Sequence, residues 1–559
     1  MLGVRMNNKF ILGLIVAVLL ASSIGMAFPL LTSNYSPYYG SIAKHIFLTD
    51  NWVDLSLSGK DWLDKPHLPF WLTAISFKIF GVNSFAYILP GFLFNILGAI
   101  YTYKVANIWY DKKTSLLAVL FYFSCLHLML SSIDVRAEAY LVGEIMPACY
   151  YLLLYEQKSR IKYLFLAAFF SALAMMTKGV FVLVTICSGL IGLWIYHRKW
   201  RNFISVKWLC VIALAFIFVA PEVVSLYLQF NLHPEKIIFG THGFSGIRWF
   251  FWDSQFGRFF NTGPIMTTNP MPYHWLFFAH TFLWAFLPWW PMFFAALWCM
   301  LKRFLVSKKL PDADVYLLAS FFVTFVLFSA TSFQVDHYTN IIFPFASIIC
   351  AKWMNDLFIL KGTDRDIRNI YFIEIFISLV VLFVVLFGGF VVLHGIVRYL
   401  SVCLALLSGG FFVILSKHSR QLKTVVFPTI AMAVFFVFAM CVNGIEYAKY
   451  DAGYQIALNL NQEKSLEVIG YKIELMSLDL YSKNSYRLVN NLGDIGSIRN
   501  GFYLVTAQNI LPEVMDKFPN SQLINNIYGC KIETFLANML HPDKLQQNLD
   551  KYVVIRVYN

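Results

Sequence analysis

Residues 162–196 read KYLFLAAFFSALAMMTKGVFVLVTICSGLIGLWIY, and Lys162 and Lys178 are the charged residues in the run. A helix that crosses a bilayer needs ~20 mostly apolar residues. The run is too long for one crossing and suits two short ones, 162–177 and 179–196, joined by a tight turn at Lys178-Gly179. Working outward, eleven more segments qualify: 10–31, 84–107, 114–131, 138–155, 208–228, 275–300, 313–331, 338–359, 370–393, 396–416 and 425–442. The expected fold is an α-helical polytopic membrane protein with about thirteen transmembrane helices. The first segment exceeds the ~7–15 apolar residues of a signal peptide and lacks a small-x-small cleavage site, so it reads as an uncleaved crossing.

Composition agrees. The 559 residues are 59% apolar and 13% charged, with 55 Phe and a mean hydropathy of +0.63. Soluble domains carry roughly 25% charged residues. A soluble enzyme, a disordered chain and a collagen-like chain are excluded on these figures. The net charge of +13 would suggest nucleic acid in a soluble protein; here its position matters more. With the N-terminus inside, the inner loops hold 21 basic residues, from Arg5 and Lys9 through Lys302 and Arg303 to Lys361 and Lys417. Each inner loop holds at least two, which is the positive-inside pattern. No nucleic-acid partner is implied. The nine Cys are scattered with no CxxC, so neither a disulfide framework nor a zinc site is expected.

Thirteen crossings place the tail outside. A transmembrane domain over 1–442 and a small α/β domain over 443–559 are expected. The tail's 11 basic and 12 acidic residues make it nearly neutral. Its strand-like runs are Leu466–Lys472, Tyr486–Asn490, Gly501–Thr506 and Tyr552–Tyr558, with helical stretches at 452–463 and 510–518. Two other outer segments, 32–83 and 229–274, exceed ordinary loops. In the first, the aromatic amphipathic stretches 36–48 and 66–81, with Lys44 and Lys78, read as interfacial helices lying on membrane lipid.

Charges near a span cost about 2.5–3.5 kcal/mol at mid-bilayer and need a reason. The outer rim gathers Asp61, Asp64, Lys65, Asp134, Arg136, Glu138, Lys178, Asp253, Arg258, Asp336 and His337. Each alone reads equally well as a solvated loop charge; together they read as a shared polar site. Lys65, in DWLDKPHLPFW (61–71), sits at headgroup level and suits a lipid phosphate or simple snorkelling. Lys178 in MMTKGV has no charged neighbour in sequence. Asp134 and Glu138, at i and i+4, share one helix face, where paired carboxylates suit acid/base chemistry, metal binding or amino-sugar recognition. The same pair also suits a helix N-terminus. A divalent cation near Asp64 and Asp253 stays open, although two carboxylates do not define a metal site; no other cofactor is required.

SPYYGSIAKHI (36–46), TDNWVDL (49–55), LDKPHLPFWLTAISFKIFG (63–81), MMTKG (175–179), FGRF (256–259), LPWWP (287–291) and DHYTNIIFPF (336–345) occur in this order. The sequence resembles membrane glycosyltransferases that take sugar from a polyprenyl phosphate. It is most similar to the bacterial 4-amino-4-deoxy-L-arabinose lipid A transferases, relatives of the protein O-mannosyltransferases. The resemblance implies an inverting transfer on the outer face of the inner membrane, with the N-terminus cytoplasmic and the tail periplasmic. Its implied partners are an undecaprenyl-phosphate sugar and a lipid A or other glycan acceptor. It places Lys65, Arg258, Lys178 and Tyr338 at the donor phosphate. Asp64, Tyr39, His337 and Arg136 become substrate contacts, and Glu138, helped by Asp134, handles the acceptor or a sugar amine. Two departures stand out. The family's acidic pair before the first-loop Tyr is replaced in Asn34-Tyr35-Ser36-Pro37-Tyr38-Tyr39, and a late family Lys is Gln334. Two other readings are a lipid-linked sugar flippase, which calls for mid-span charges and repeat-related broken helices, and a non-catalytic sugar-lipid binding paralogue.

Overall fold

The computed structural model describes residues 6–29, 35–266, 274–331, 333–359, 364–414, 419–461, 466–496, 498 and 501–558. Arg5, Asn34, Lys361 and Lys417 lie outside the described residues. Every one of the thirteen apolar segments carries helix. The chain is a helical polytopic membrane protein. Among the described residues, seven helices are long and apolar enough to cross a membrane, or up to nine if two bent pairs each count as one crossing. One bent pair departs from expectation. Segment 275–300 is not one rod: Phe277–Ala285 and Trp290–Ser307 meet at 117°. LPWWP supplies two prolines there, and a proline cannot donate the backbone hydrogen bond that continues a helix. The other pair, Val206–Phe218 and Ala220–Asn231, bends by 42° beside Pro221.

The helices pack through small residues. A Cβ at Gly143 would meet the Phe94 carbonyl oxygen at 2.2 Å, so only glycine lets helix Ala137–Lys158 lie this close to Ser84–Ala106. Helix Ala137–Lys158 also packs along Ile161–Lys178. These contacts bring Glu138, at the start of one helix, and Lys178, at the end of the other, to one place.

The segment between the first two apolar runs contains two helices, Tyr35–Thr49 and Leu68–Phe80, which cover the two aromatic amphipathic stretches. Between them a short hairpin pairs β1 (Ser56–Leu57) with β2 (Lys60–Asp61). The C-terminal region is a five-stranded mixed sheet. Its strands are β3 (Val468–Tyr471), β4 (Tyr486–Val489), β5 (Phe502–Ala507), β6 (Ser521–Gly529) and β7 (Asp550–Val557), in the order β4-β3-β5-β7-β6. β3 runs parallel to β4 and β5; β7 is antiparallel to β5 and β6. Helices Ala452–Leu460 and Leu511–Lys517 fall where the sequence placed them. β6 and the helix Met476–Tyr481 were not read. β6 is an edge strand exposed along most of its length, so it shows no apolar alternation to read.

The sheet region is tied to the first outer segment by a buried cation. Lys44, 4% exposed, donates to the carbonyl oxygens of Asp479 at 2.5 Å and Ser482 at 2.6 Å. Those carbonyls close the C-terminal end of helix Met476–Tyr481, where a positive charge is favoured.

Candidate functional site

Lys65 precedes a proline, which disfavours helical backbone at this position, and it lies in a bend ahead of helix Leu68–Phe80. Its ammonium donates to Asp64 Oδ2 at 2.7 Å, and Asp64 Oδ1 accepts from Arg258 Nη2. Burial alone would push the Asp64 carboxyl up. Lys65 and Arg258 outweigh it and hold the group below the usual carboxylate range. Arg258 follows a π-helical segment, Trp249–Gly257, and its guanidinium lies over the rings of Trp249 and Phe333.

The third cation is Lys178, at the end of helix Ile161–Lys178. The turn after it requires glycine twice over. Gly179 has φ +100°, and a Cβ there would stand 2.2 Å from Gln255 Nε2. Gln255 donates to the Lys178 carbonyl oxygen at 3.3 Å and accepts from the Phe181 amide at 3.4 Å. Thr177 donates to Glu144 at 2.8 Å. The Lys178 ammonium donates to Glu138 Oε1 and sits 3.5 Å from the centroid of the Tyr338 ring. Asp64, Lys65, Lys178, Arg258 and Tyr338 all line one cavity of about 90 Å³ whose walls are otherwise largely apolar.

Glu138 also lines a second cavity, of about 70 Å³, together with His127, Asp134, Arg136, Asp336, His337 and Asn340. Arg136 Nη2 donates to Asp134 Oδ2 at 2.7 Å, and Ser36 donates to Asp134 Oδ1 at 2.5 Å. Arg136 Nη1 lies 2.6 Å from His337 Nδ1. The same nitrogen lies 3.0 Å from Asp336 Oδ1; a guanidinium only donates and a carboxylate only accepts, so the two neighbours favour opposite tautomers, while Nε2 faces Glu138 Oε2 at 3.7 Å. Burial lowers the His337 pKa; Glu138 and Asp336 oppose this without reversing it. Burial would raise Asp336, but the hydrogen bond from His337 and the nearby positive groups hold it below the usual range.

The residues singled out from sequence therefore divide into two adjoining groups, with Glu138–Lys178 as the link. Tyr39 stands beside both: its ring packs edge-on against Phe70 and Trp62. Burial, with the charges of Asp64 and Glu138, holds its phenol protonated well above the ordinary value. Two rim acids lie apart. Asp61 accepts from Gln229 and Lys236, both at 3.0 Å, and Asp253 faces Arg248 at 3.4 Å. Asp253 and Asp64 each have their own cation, and among the described residues no cluster of three or more His, Cys, Asp or Glu side chains is arranged to hold a metal ion. All nine Cys are free thiols. At the departure from the family pattern, Ser36 contacts Asp134, and Gln334 donates to the carbonyls of Phe328 and Ser329. Sequence reading missed His67, His127, Glu222, Gln229, Gln255 and Asn340. His127, Glu222 and Gln229 stand in otherwise apolar stretches, whereas His67, Gln255 and Asn340 lie among other polar residues and carry no separate signal.

This arrangement, basic side chains around an apolar-walled cavity at one rim of a helical membrane domain, defines a membrane protein suited to an anionic lipid. Comparisons agree. Residues 64–224 match the dolichyl-phosphate-mannose-protein mannosyltransferase family. Over nearly its whole length the chain has the fold of ArnT from Cupriavidus metallidurans, solved bound to undecaprenyl phosphate: TM-score 0.73, 14% identity, 98% of each chain covered. An uncharacterised Aquifex aeolicus protein is 26% identical over 360 residues, 63% of this chain and 64% of its own. The Erwinia tasmaniensis undecaprenyl phosphate-alpha-4-amino-4-deoxy-L-arabinose arabinosyl transferase is 24% identical over 200 residues, 34% of this chain and 35% of its own. The match thus spans less than two thirds of these relatives. The sequence matches bear out the resemblance read from the motifs, and the structural likeness bears out the fold.

Proposed function

We propose that this chain is an inverting glycosyltransferase that moves a sugar from undecaprenyl phosphate to a lipid A-type or other envelope glycan acceptor. The observation that carries the reading is the convergence of Lys65, Arg258 and Lys178 with Tyr338 on one apolar-walled cavity. With Asp64 and Glu138 counted, these charges sum to +1, which suits a phosphodiester of charge −1. Arg258 Nε is buried with no acceptor among the described residues, so it is a donor ready for a phosphate oxygen. Breaking the glycosyl–phosphate bond puts negative charge on the leaving phosphate, and cations already fixed there stabilise it without reorganising. The apolar walls receive the prenyl chain next to the phosphate.

The polar cavity beside it receives the sugar and the attacking group. Arg136, Asn340 and His127 offer donors and acceptors for hydroxyls. Glu138 and Asp134 face this space, where they contact the acceptor or a sugar amine. A phosphate acceptor is already a nucleophile and needs only positioning; a hydroxyl acceptor needs a base. We further propose thirteen crossings, a cytoplasmic N-terminus, a division near 442/443 and a periplasmic sheet domain, supported by the helices in all thirteen apolar segments and the inner-loop charge.

The test is transfer from labelled undecaprenyl-phosphate sugar by purified wild type, Lys65→Ala and Arg258→Ala. The expected result is turnover by wild type and a fall of roughly 10²–10³ in each variant. Equal rates in all three overturn the assignment. Transport of the lipid without transfer points to the flippase reading, and binding without either points to the non-catalytic one.

A further inference from the structure

His67 and Glu222 are 1% and 0% exposed and lie 155 positions apart in sequence. The His67 backbone amide donates to Glu222 Oε2 at 3.0 Å, and the ring Nδ1 lies 3.0 Å from Glu222 Oε1. The ring's other nitrogen, Nε2, lies 2.9 Å from the Val53 carbonyl oxygen. That carbonyl only accepts, so Nε2 carries a proton. His67 is thereby fixed at three points. It follows Asp64-Lys65-Pro66 directly and is the residue from which helix Leu68–Phe80 starts. Two further buried side chains from the second outer segment grip the same loop. Gln229 accepts from the Leu55 amide at 3.2 Å and donates to its carbonyl at 2.9 Å. Trp249 donates to the Leu63 carbonyl at 2.8 Å. Backbone from Val53 to His67 is therefore seated on side chains of residues 222–249, the stretch that leads into Arg258.

We propose that His67 and Glu222 are positioning residues for the lipid-phosphate site. Their pairing sets where the Lys65 ammonium stands relative to Arg258, and neither touches the phosphate. The proposal rests on the reading of the 90 Å³ cavity as a polyprenyl-phosphate site. The lever is short. Lys65 lies two residues from His67, Pro66 between them has a fixed φ, and Pro69 sits in the first turn of the following helix. A rotation at His67 is passed to Lys65 with little loss in between. Displacing a positioned group by ~1 Å is enough to cost up to ~100-fold.

The experiment measures binding of a short-chain polyprenyl phosphate to the full chain in nanodiscs, alongside thermal unfolding. Wild type is compared with His67→Ala, Glu222→Leu, the double variant, and Glu222→Gln. The expected result is binding weakened about tenfold in each broken-pair variant, with the double variant no weaker than the singles. Glu222→Gln keeps both hydrogen bonds, accepting from the amide and donating to Nδ1, and is expected to bind within about threefold of wild type. Wild-type affinity in Glu222→Leu overturns the proposal; so do additive losses in the double variant. If the broken-pair variants unfold, Glu222→Gln decides, and loss of its binding with an unchanged unfolding midpoint overturns the proposal. Failure of wild type itself to bind overturns the cavity reading instead.

Discussion

Glu138→Gln isolates the link between the two cavities. The carboxylate is 2% exposed and the Lys178 side chain 14% exposed. Two unit charges in contact at ~3 Å attract by roughly 5 kcal/mol at an effective dielectric constant of 20. Part of that only offsets desolvation, and removing one partner of a buried pair costs about 3–5 kcal/mol. The residual exposure of Lys178, and the Tyr338 face that still holds its ammonium, place the expected stability loss near the lower end, about 3 kcal/mol. Catalytic loss is expected to be comparable. An ammonium without its anchor no longer waits where charge develops, and losing one such donor lowers turnover by roughly 10²–10³. The assay is single-turnover transfer in nanodiscs at saturating donor, with unfolding midpoints recorded in parallel. The decisive comparison is a cycle with Lys178→Met. If Glu138 acts by holding Lys178, the double variant loses no more than the worse single variant. Additive losses, or a Glu138→Gln rate within threefold of wild type, refute this reasoning.

Four further outcomes follow from the same contacts. Tyr338→Leu removes the ring over Lys178 and is expected to weaken polyprenyl-phosphate binding by about 5–30-fold, whereas Tyr338→Phe keeps the ring and binds within a few-fold in the same titration. Gly179→Ala meets both the positive φ and Gln255, and transfer is expected to drop at least ~10-fold. Adding Gln255→Ala recovers part of the loss but not the backbone strain, as transfer assays will show. Lys44→Met leaves two buried carbonyls without their donor, a cost of about 1–3 kcal/mol for each, and limited proteolysis is expected to release the 443–559 region faster than in wild type. The fourth concerns pH. Burial lowers the His67 pKa, but the charge of Glu222 and its hydrogen bond, the Val53 carbonyl and Asp54 together raise it above the ordinary 6.5. A raised folded value stabilises fully below 6.5 and is lost as pH climbs through that raised value. The gap in unfolding midpoint between wild type and His67→Ala is therefore expected to be widest below pH 6.5 and to narrow in alkali; a gap that widens with pH contradicts the pairing.

What the sequence reveals depends on how local the cause is. Hydrophobic runs are local, so all thirteen helical segments can be read directly, as can four of the five tail strands. Lys65, Lys178 and Arg258 are legible because a charge beside a span is costly wherever the chain later goes. Their convergence is not legible, since it depends on Gly143 letting two helices approach and on the bend after residue 218. The hydrogen bonds of His67, Gln229 and Gln255 join residues 74 to 174 positions apart. Such pairings leave no periodicity. The break at 285–290 was visible as LPWWP, yet apolar content continues through it, so a hydropathy reading sees one span where geometry makes two helices.

The placement of Asp64 explains how cations can be gathered before any substrate arrives. Lys65, Arg258 and Lys178 are near enough to repel one another, and in a largely apolar cavity that repulsion is weakly screened. Asp64 bridges Lys65 and Arg258 with one oxygen each, while Glu138 holds Lys178. Each acid keeps its cation in place without cancelling the set, because three positive groups face two negative ones. On the proposed reading, a donor phosphodiester brings the sum to zero, and the second charge that grows on the leaving phosphate is met by donors that need not move. An Asp64→Asn change would leave the cations mutually repelled, so its effect should fall on their placement. A site without Asp64 would carry more positive charge and yet hold it less well, and for stabilising a transition state fixed placement outweighs total charge.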